Sequence, residues 1–118
     1  GFASGGLAAG ATPPVDSAML AAARERLRAA RAARWRGRRA LASAEYTAVL
    51  QILDGARGLY ARAAEATMAE AALGLSMLVR RDRATALDYA RAAIEHARRS
   101  GDAGLERRAQ QRLRRLTN

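Results

Sequence analysis

The chain contains 118 residues with a formal net charge of +10, and its 21 strongly basic residues are all arginines. Half of the residues are hydrophobic but only 4% are aromatic, so alanine supplies much of the apolar content and any core is thin. The absence of cysteine excludes disulfide frameworks and thiolate metal sites, and a single histidine excludes multi-histidine sites. No apolar run is long enough to predict a transmembrane helix.

The periodicity of apolar residues predicts an all-α protein with about five helices in antiparallel hairpins. Residues 1–15, rich in glycine and alanine and containing a proline pair, are predicted to be a flexible tail or linker, and residues 16–118 a single helical domain. Asp16 or Ser17 can cap the first helix, and Ser100-Gly101-Asp102 reads as a stop and a restart. The predicted helices span approximately 17–35, 39–53, 59–80, 84–99 and 103–116.

One stretch of sequence, residues 67–100, carries a recognisable pattern of small and large residues. Its members are Leu73-Gly74, Met77, Ala86, Ala90 and Ala93. This spacing resembles the tetratricopeptide repeat, and Leu113-Arg114 is the counterpart of Leu73-Gly74 in a partial repeat that follows. Glu70 departs from the pattern, since the repeat has tryptophan there. The resemblance implies a short solenoid, and a generic helical bundle is the alternative. So short a solenoid would need a larger array, dimerisation or the first helix to cover its open faces.

The resemblance also implies a binding site, because the first helix of each such repeat lines the groove that holds a partner. Carried over by position, the apolar strip comprises Met68, Ala71, Leu75, Leu78 and Val79. As a free groove, this strip would hold a helix or an extended peptide while nearby arginines attract acidic residues of the partner. The same residues could instead form core or a contact between two copies of the chain.

Positive charge is concentrated in two parts of the sequence, with +7 over residues 17–41 and +5 over residues 98–118. Helical spacing places members of each group on a common face. The predicted basic patch comprises Arg24, Arg28, Arg31, Arg38, Arg39, Arg108, Arg112 and Arg115. Three interpretations are open: a solvated surface whose arginines reflect coding bias, a nucleic-acid footprint, or a site for an acidic protein or a membrane surface. One continuous basic face would favour nucleic acid.

No catalytic constellation is apparent. His96 lies among charged residues at the spacing of solvated ion pairs, and neither a nucleophile motif nor a phosphate-binding loop occurs. We therefore predict no enzymatic activity, no cofactor and no metal site. The predicted function is a cytoplasmic protein–protein interaction or scaffolding module, as a segment or small subunit of a bacterial assembly. Its expected partner is another protein or peptide, acidic in character, or a second copy of the chain. The alternative is a basic helical protein that binds nucleic acid.

Overall fold

The computed structural model describes residues 14–118, which form five α-helices and no strand. The all-α prediction is therefore confirmed, and four of the five helices begin and end within one residue of their predicted bounds. The third helix is shorter than predicted by two residues at each end. The helices are α1 (Ser17–Trp35), α2 (Arg39–Ile52), α3 (Ala61–Leu78), α4 (Arg83–Ser100) and α5 (Ala103–Thr117).

Short polar residues determine where the helices begin and end. Asp16, Asp82 and Asp102 precede α1, α4 and α5, and each side chain accepts a hydrogen bond from the backbone N–H three residues later, at 2.8, 3.1 and 3.0 Å. These bonds satisfy N–H groups that have no partner within the helix. Gly101 ends α4 with a φ of 78°, a left-handed conformation that glycine adopts without steric cost.

The helices pack in two layers, with α1, α3 and α5 in one layer and α2 and α4 in the other. Helix α3 is central and contacts all four of the others. Helices α1 and α3 run parallel, because Arg31 contacts Glu70 and Arg34 contacts Met77 further along both helices. Arg108 of α5 also reaches Glu70, from the other side of α3. This stacking of successive hairpins is compatible with a helical repeat.

The core is built from alanines and a few larger side chains, as the composition predicts. Its largest cluster joins α1, α2 and α3 and includes Tyr46, the largest of the fully buried side chains. The tip of the Tyr46 ring occupies the space above Gly74, where an added Cβ would lie only 2.3 Å from Cζ. A small residue at position 74 therefore admits an aromatic ring from α2, the preceding hairpin.

The chain immediately before α1 is anchored to the domain. Val15 is buried, and its N–H donates a 3.1 Å hydrogen bond to the carbonyl oxygen of Arg57 in the α2–α3 loop. Of the tail predicted over residues 1–15, residues 1–13 lie outside the part of the chain that the structure describes. Val15, the last residue of that range, belongs to the largest core cluster.

Candidate functional site

The apolar groove implied by the resemblance is not open to a partner. Met68, Ala71, Leu75 and Leu78 are all buried, the most exposed at 7%, and Val79 is partly buried. They pack against side chains of α1 and α2 that include Leu20, Leu27, Tyr46 and Val49. The groove prediction is therefore corrected: the α1–α2 hairpin covers this face of α3, and the residues form core, which is the other alternative left open by the sequence.

A different side of α3 remains accessible, between α1 and α5. Its floor consists of Ala63, Ala66 and Glu70, none of them fully buried, and of the exposed Met77. We call this surface, together with the side chains of α1 and α5 that border it, the α1–α3–α5 face. Its small floor residues leave grooves on both sides of α3.

Helix α1 borders one of these grooves with a row of arginines. Arg24, Arg28 and Arg31 line the same groove as Ala63 and Glu70, so the common face predicted from their spacing points toward α3. Within residues 14–118, Arg24 takes part in no ion pair, and its charge is free for a ligand.

The charge of Arg28 is partly compensated by its own helix. Its guanidinium group donates a 2.9 Å hydrogen bond to the Glu25 carboxylate, and this bond lowers the pKa of Glu25 from its usual value. Because both side chains are exposed, the pair is screened by solvent and leaves Arg28 able to exchange partners. Arg28 therefore borders the groove with less free charge than Arg24.

Helix α5 borders the groove on the opposite side of α3. Arg108 lines it together with Ala66 and Glu70, and Arg115 lines a neighbouring depression beside Met77. The two basic helices thus flank α3 on one face of the molecule. This is the continuous arrangement that the sequence left undetermined.

Glu70 links the two rows of arginines. Its Oε1 accepts a hydrogen bond from Arg31 of α1 and lies 3.7 Å from Nη1 of Arg108 of α5. The Glu70 side chain is 28% exposed, whereas the two guanidinium groups are each about half exposed. The face therefore holds one carboxylate between cations that come from opposite sides of α3.

Three arginines of the predicted basic patch do not present a free charge on the α1–α3–α5 face. Arg112 lines the same depression as Arg115, but its guanidinium group is engaged internally. It donates hydrogen bonds to Oγ and to the carbonyl oxygen of buried Ser76, at 3.1 and 2.8 Å, and so attaches α5 to the end of α3. Arg38 precedes α2, and Arg39 lines a depression near Met77 at the end of the molecule. The patch on the α1–α3–α5 face therefore consists of Arg24, Arg28, Arg31, Arg108 and Arg115.

His96 is not a simple surface residue. Its Nδ1 lies 2.6 Å from Oε1 of Glu65, and both side chains are mostly buried between α3 and α4. This contact was missed in the sequence because the two residues are 31 positions apart. The pair connects the two helices, and within residues 14–118 no cluster of potential ligands could hold a metal ion.

Every helix within residues 14–118 is too short or too polar to cross a bilayer. Comparisons of the chain with protein-family models, with curated proteins and with solved structures gave no match.

Proposed function

We propose that this protein is an interaction module that binds an acidic segment of a partner protein on the α1–α3–α5 face. The observation that carries the proposal is Glu70, a carboxylate held between Arg31 and Arg108 from opposite sides of the face. Carboxylates of a partner would occupy equivalent positions along the two rows of arginines, where charge-assisted hydrogen bonds are available. The tetratricopeptide-like hairpin arrangement and a role in a larger bacterial assembly belong to this proposal.

The shape of the face supports a peptide ligand. Alanines at positions 63 and 66 leave room for a backbone beside α3, and exposed Met77 offers a flexible apolar contact at the far end. An extended or helical segment with regularly spaced acidic residues would place its carboxylates toward α1 and α5. No step of this proposal requires a nucleophile, a metal or a cofactor, and it describes a protein that is not an enzyme.

Nucleic acid is the second candidate, because the basic helices α1 and α5 border one continuous face. Arginine neutralises phosphates as well as carboxylates, and such binding weakens steeply as salt rises. Glu70 repels phosphates and carboxylates alike, but a peptide can place an uncharged residue over α3, whereas a phosphate backbone carries a charge at every nucleotide. This difference favours the peptide.

The test is a titration of a fluorescent, Asp- and Glu-rich peptide and of a short labelled DNA duplex, each followed by anisotropy at low and moderate salt. We expect the peptide to bind more tightly than the duplex. Substituting Arg24→Gln together with Arg108→Gln removes one cation from each side of α3 and should weaken peptide binding by about 10- to 100-fold. Arg91→Gln with Arg99→Gln is the matched control, because it removes the same charge from exposed positions on α4.

A second variant tests the role given to the internal carboxylate. Glu70→Gln frees Arg31 and Arg108 and removes a like charge from the ligand's path, which is worth about 1 kcal/mol at 4 Å in water. We expect peptide affinity to rise about fivefold. Tighter binding of the duplex than of the peptide would favour the nucleic-acid candidate, and equal losses in the two double variants would show that only overall charge matters.

A further inference from the structure

The two ends of the molecule differ in charge. Because α1 and α3 run parallel, the α1–α2 and α3–α4 turns lie at the same end, and we call residues 35–39 and 80–83 the apical surface. Six arginines and one aspartate give it a net charge of +5; the arginines are Arg36, Arg38, Arg39, Arg80, Arg81 and Arg83. The connecting segments at the opposite end, residues 14–16, 53–60 and 101–102, carry one arginine, Arg57, and three aspartates, Asp16, Asp54 and Asp102.

The apical arginines are available to a ligand. Arg39 is partly exposed and the other five are exposed. Within the part of the chain that the structure describes, none of the six takes part in an ion pair. The two turns form one surface, since Gly37 of the first and Arg80 of the second line the same depression. The apical surface is thus a compact group of uncompensated cations.

An exposed tryptophan lies within this group. Trp35, the single tryptophan of the chain, is the last residue of α1 and is 91% exposed. Leu41 in the first turn of α2 and Met77 in the last turn of α3 are also exposed, at 48% and 43%. Three of the five large hydrophobic side chains that the described residues expose are therefore at or beside the cationic end. Exposing these apolar side chains to water beside the arginines does not stabilise the protein.

We propose that the apical surface binds the headgroup region of an anionic phospholipid bilayer, with Trp35 inserted at the interface and the arginines on lipid phosphates. Tryptophan favours this region because its ring is apolar while its indole N–H is polar. Each arginine close to an anionic leaflet adds to the attraction. The acidic connecting segments at the opposite end then face away from the bilayer, so the charge difference between the two sets of turns favours this single orientation.

Nucleic acid fits the apical surface less well than a bilayer does. Proteins that bind single strands offer several aromatic side chains on which successive bases stack, whereas Trp35 is the only aromatic residue of the two apical turns. Leu41 and Met77 have no equivalent partner on a phosphate backbone. Apart from Met77, which borders both surfaces, the proposal involves different residues from the α1–α3–α5 face, and it does not depend on the acidic peptide.

Trp35 provides a direct reporter for the test. The full chain is mixed with vesicles of phosphatidylcholine alone or with about one-third phosphatidylserine, and binding is followed by co-sedimentation and by tryptophan emission. We expect binding to the phosphatidylserine vesicles only, a shift of the emission to shorter wavelength, and reversal of both at high salt. Absence of binding at low salt, or binding without an emission shift, would overturn the proposal.

Matched variants separate the apical surface from overall charge. Arg36→Gln with Arg81→Gln should weaken vesicle binding by about 30-fold, whereas Arg91→Gln with Arg99→Gln, which removes the same charge from α4, should leave it much closer to that of the unmodified chain. Trp35→Ala, followed by co-sedimentation, should weaken binding by about 10-fold. Leu59→Ala is its control, because Leu59 is 90% exposed at the opposite end. Equal effects within either pair would refute an oriented site.

Two other occupants would give distinct results. If a second copy covers the apical surface, the free protein will have a mass above that of one chain and a tryptophan emission already shifted to shorter wavelength. If nucleic acid is the ligand, a short oligonucleotide will quench Trp35 and displace the protein from vesicles at equal phosphate concentration. Either result would replace the bilayer as the occupant.

Discussion

Replacing Gly74 by alanine tests the close contact between the Tyr46 ring of α2 and the backbone of α3. The added Cβ would lie 2.3 Å from Cζ of Tyr46 and 2.6 and 2.7 Å from the adjacent ring carbons. The closest of these distances is about 1 Å shorter than ordinary van der Waals contact. Tyr46 is only 2% exposed, so its ring cannot move into solvent to relieve the clash. One helix must shift, or the ring must leave its preferred rotamer.

The magnitude follows from two opposing terms. Overpacking a close-packed core costs about 1–3 kcal/mol, while alanine in a helix gains about 0.5–1 kcal/mol over glycine. The difference is a loss of about 0–2.5 kcal/mol, and the short contact places Gly74→Ala in its upper half. We therefore expect the free energy of unfolding to fall by about 1.5–2.5 kcal/mol, measured by urea denaturation with helical circular dichroism. Gly104→Ala in α5 is the control, since its added Cβ would meet nothing closer than 3.5 Å. That substitution should stabilise the protein by about 0.5–1 kcal/mol.

A double-mutant cycle assigns the loss to the ring itself. Tyr46→Leu destabilises the protein on its own, but it removes the atoms that the new methyl group would meet. In that background Gly74→Ala should be neutral or stabilising, which corresponds to a coupling free energy of about 1–3 kcal/mol between the two positions. The proposed clash between Gly74→Ala and the Tyr46 ring is refuted if Gly74→Ala stabilises the unmodified chain as Gly104→Ala does. It is also refuted if the stability losses of Gly74→Ala and Tyr46→Leu are additive in the double variant.

Two further predictions concern single contacts. Arg112→Ala should lower the free energy of unfolding by about 1–3 kcal/mol, because it removes two charge-assisted hydrogen bonds to Ser76, whereas exposed Arg115→Ala should have little effect. Hydrogen bonds from the Thr85 hydroxyl and backbone N–H lower the pKa of Asp82 from its usual value, so the ionised form caps α4 at any pH above the lowered pKa. Stability from this cap should be lost as pH falls through the lowered pKa, and a urea series at acidic pH should show a smaller loss for Asp82→Asn.

The sequence predicts the helices well because their boundaries are encoded locally. An aspartate before a helix and a glycine after it are signals that act within one helical turn. The observed bounds of α4 and α5 therefore lie within one residue of the predicted bounds. The exception is α3, which was predicted to extend over Leu59, Tyr60, Val79 and Arg80. These flanking residues continue the helical pattern in composition, and the adjoining turns are not marked by a capping side chain.

The face of α3 that remains accessible could not be predicted in the same way. Twelve of its 18 residues are buried, so the helix is apolar around most of its circumference and has no single hydrophobic stripe. Which side is covered depends on where the α1–α2 hairpin packs, and that is a tertiary property. Glu70 offered one signal, since a charged residue in place of the tryptophan of the repeat indicates a solvent-facing position. Its two arginine partners are 39 and 38 residues away in sequence.

The location of the charges bears on whether the arginine excess reflects only coding bias. Such a bias explains why arginine replaces lysine, but it acts equally on every codon and cannot sort charges by position in the fold. Several acidic residues form side-chain pairs that join neighbouring helices. The pairs are Arg26–Glu45 between α1 and α2, Glu65–His96 between α3 and α4, and Arg98–Glu106 between α4 and α5. The apical surface instead gathers six unpaired arginines beside an exposed tryptophan, while the connecting segments at the opposite end carry more aspartate than arginine. This segregation is a cost in electrostatic repulsion that a bound anionic surface would offset.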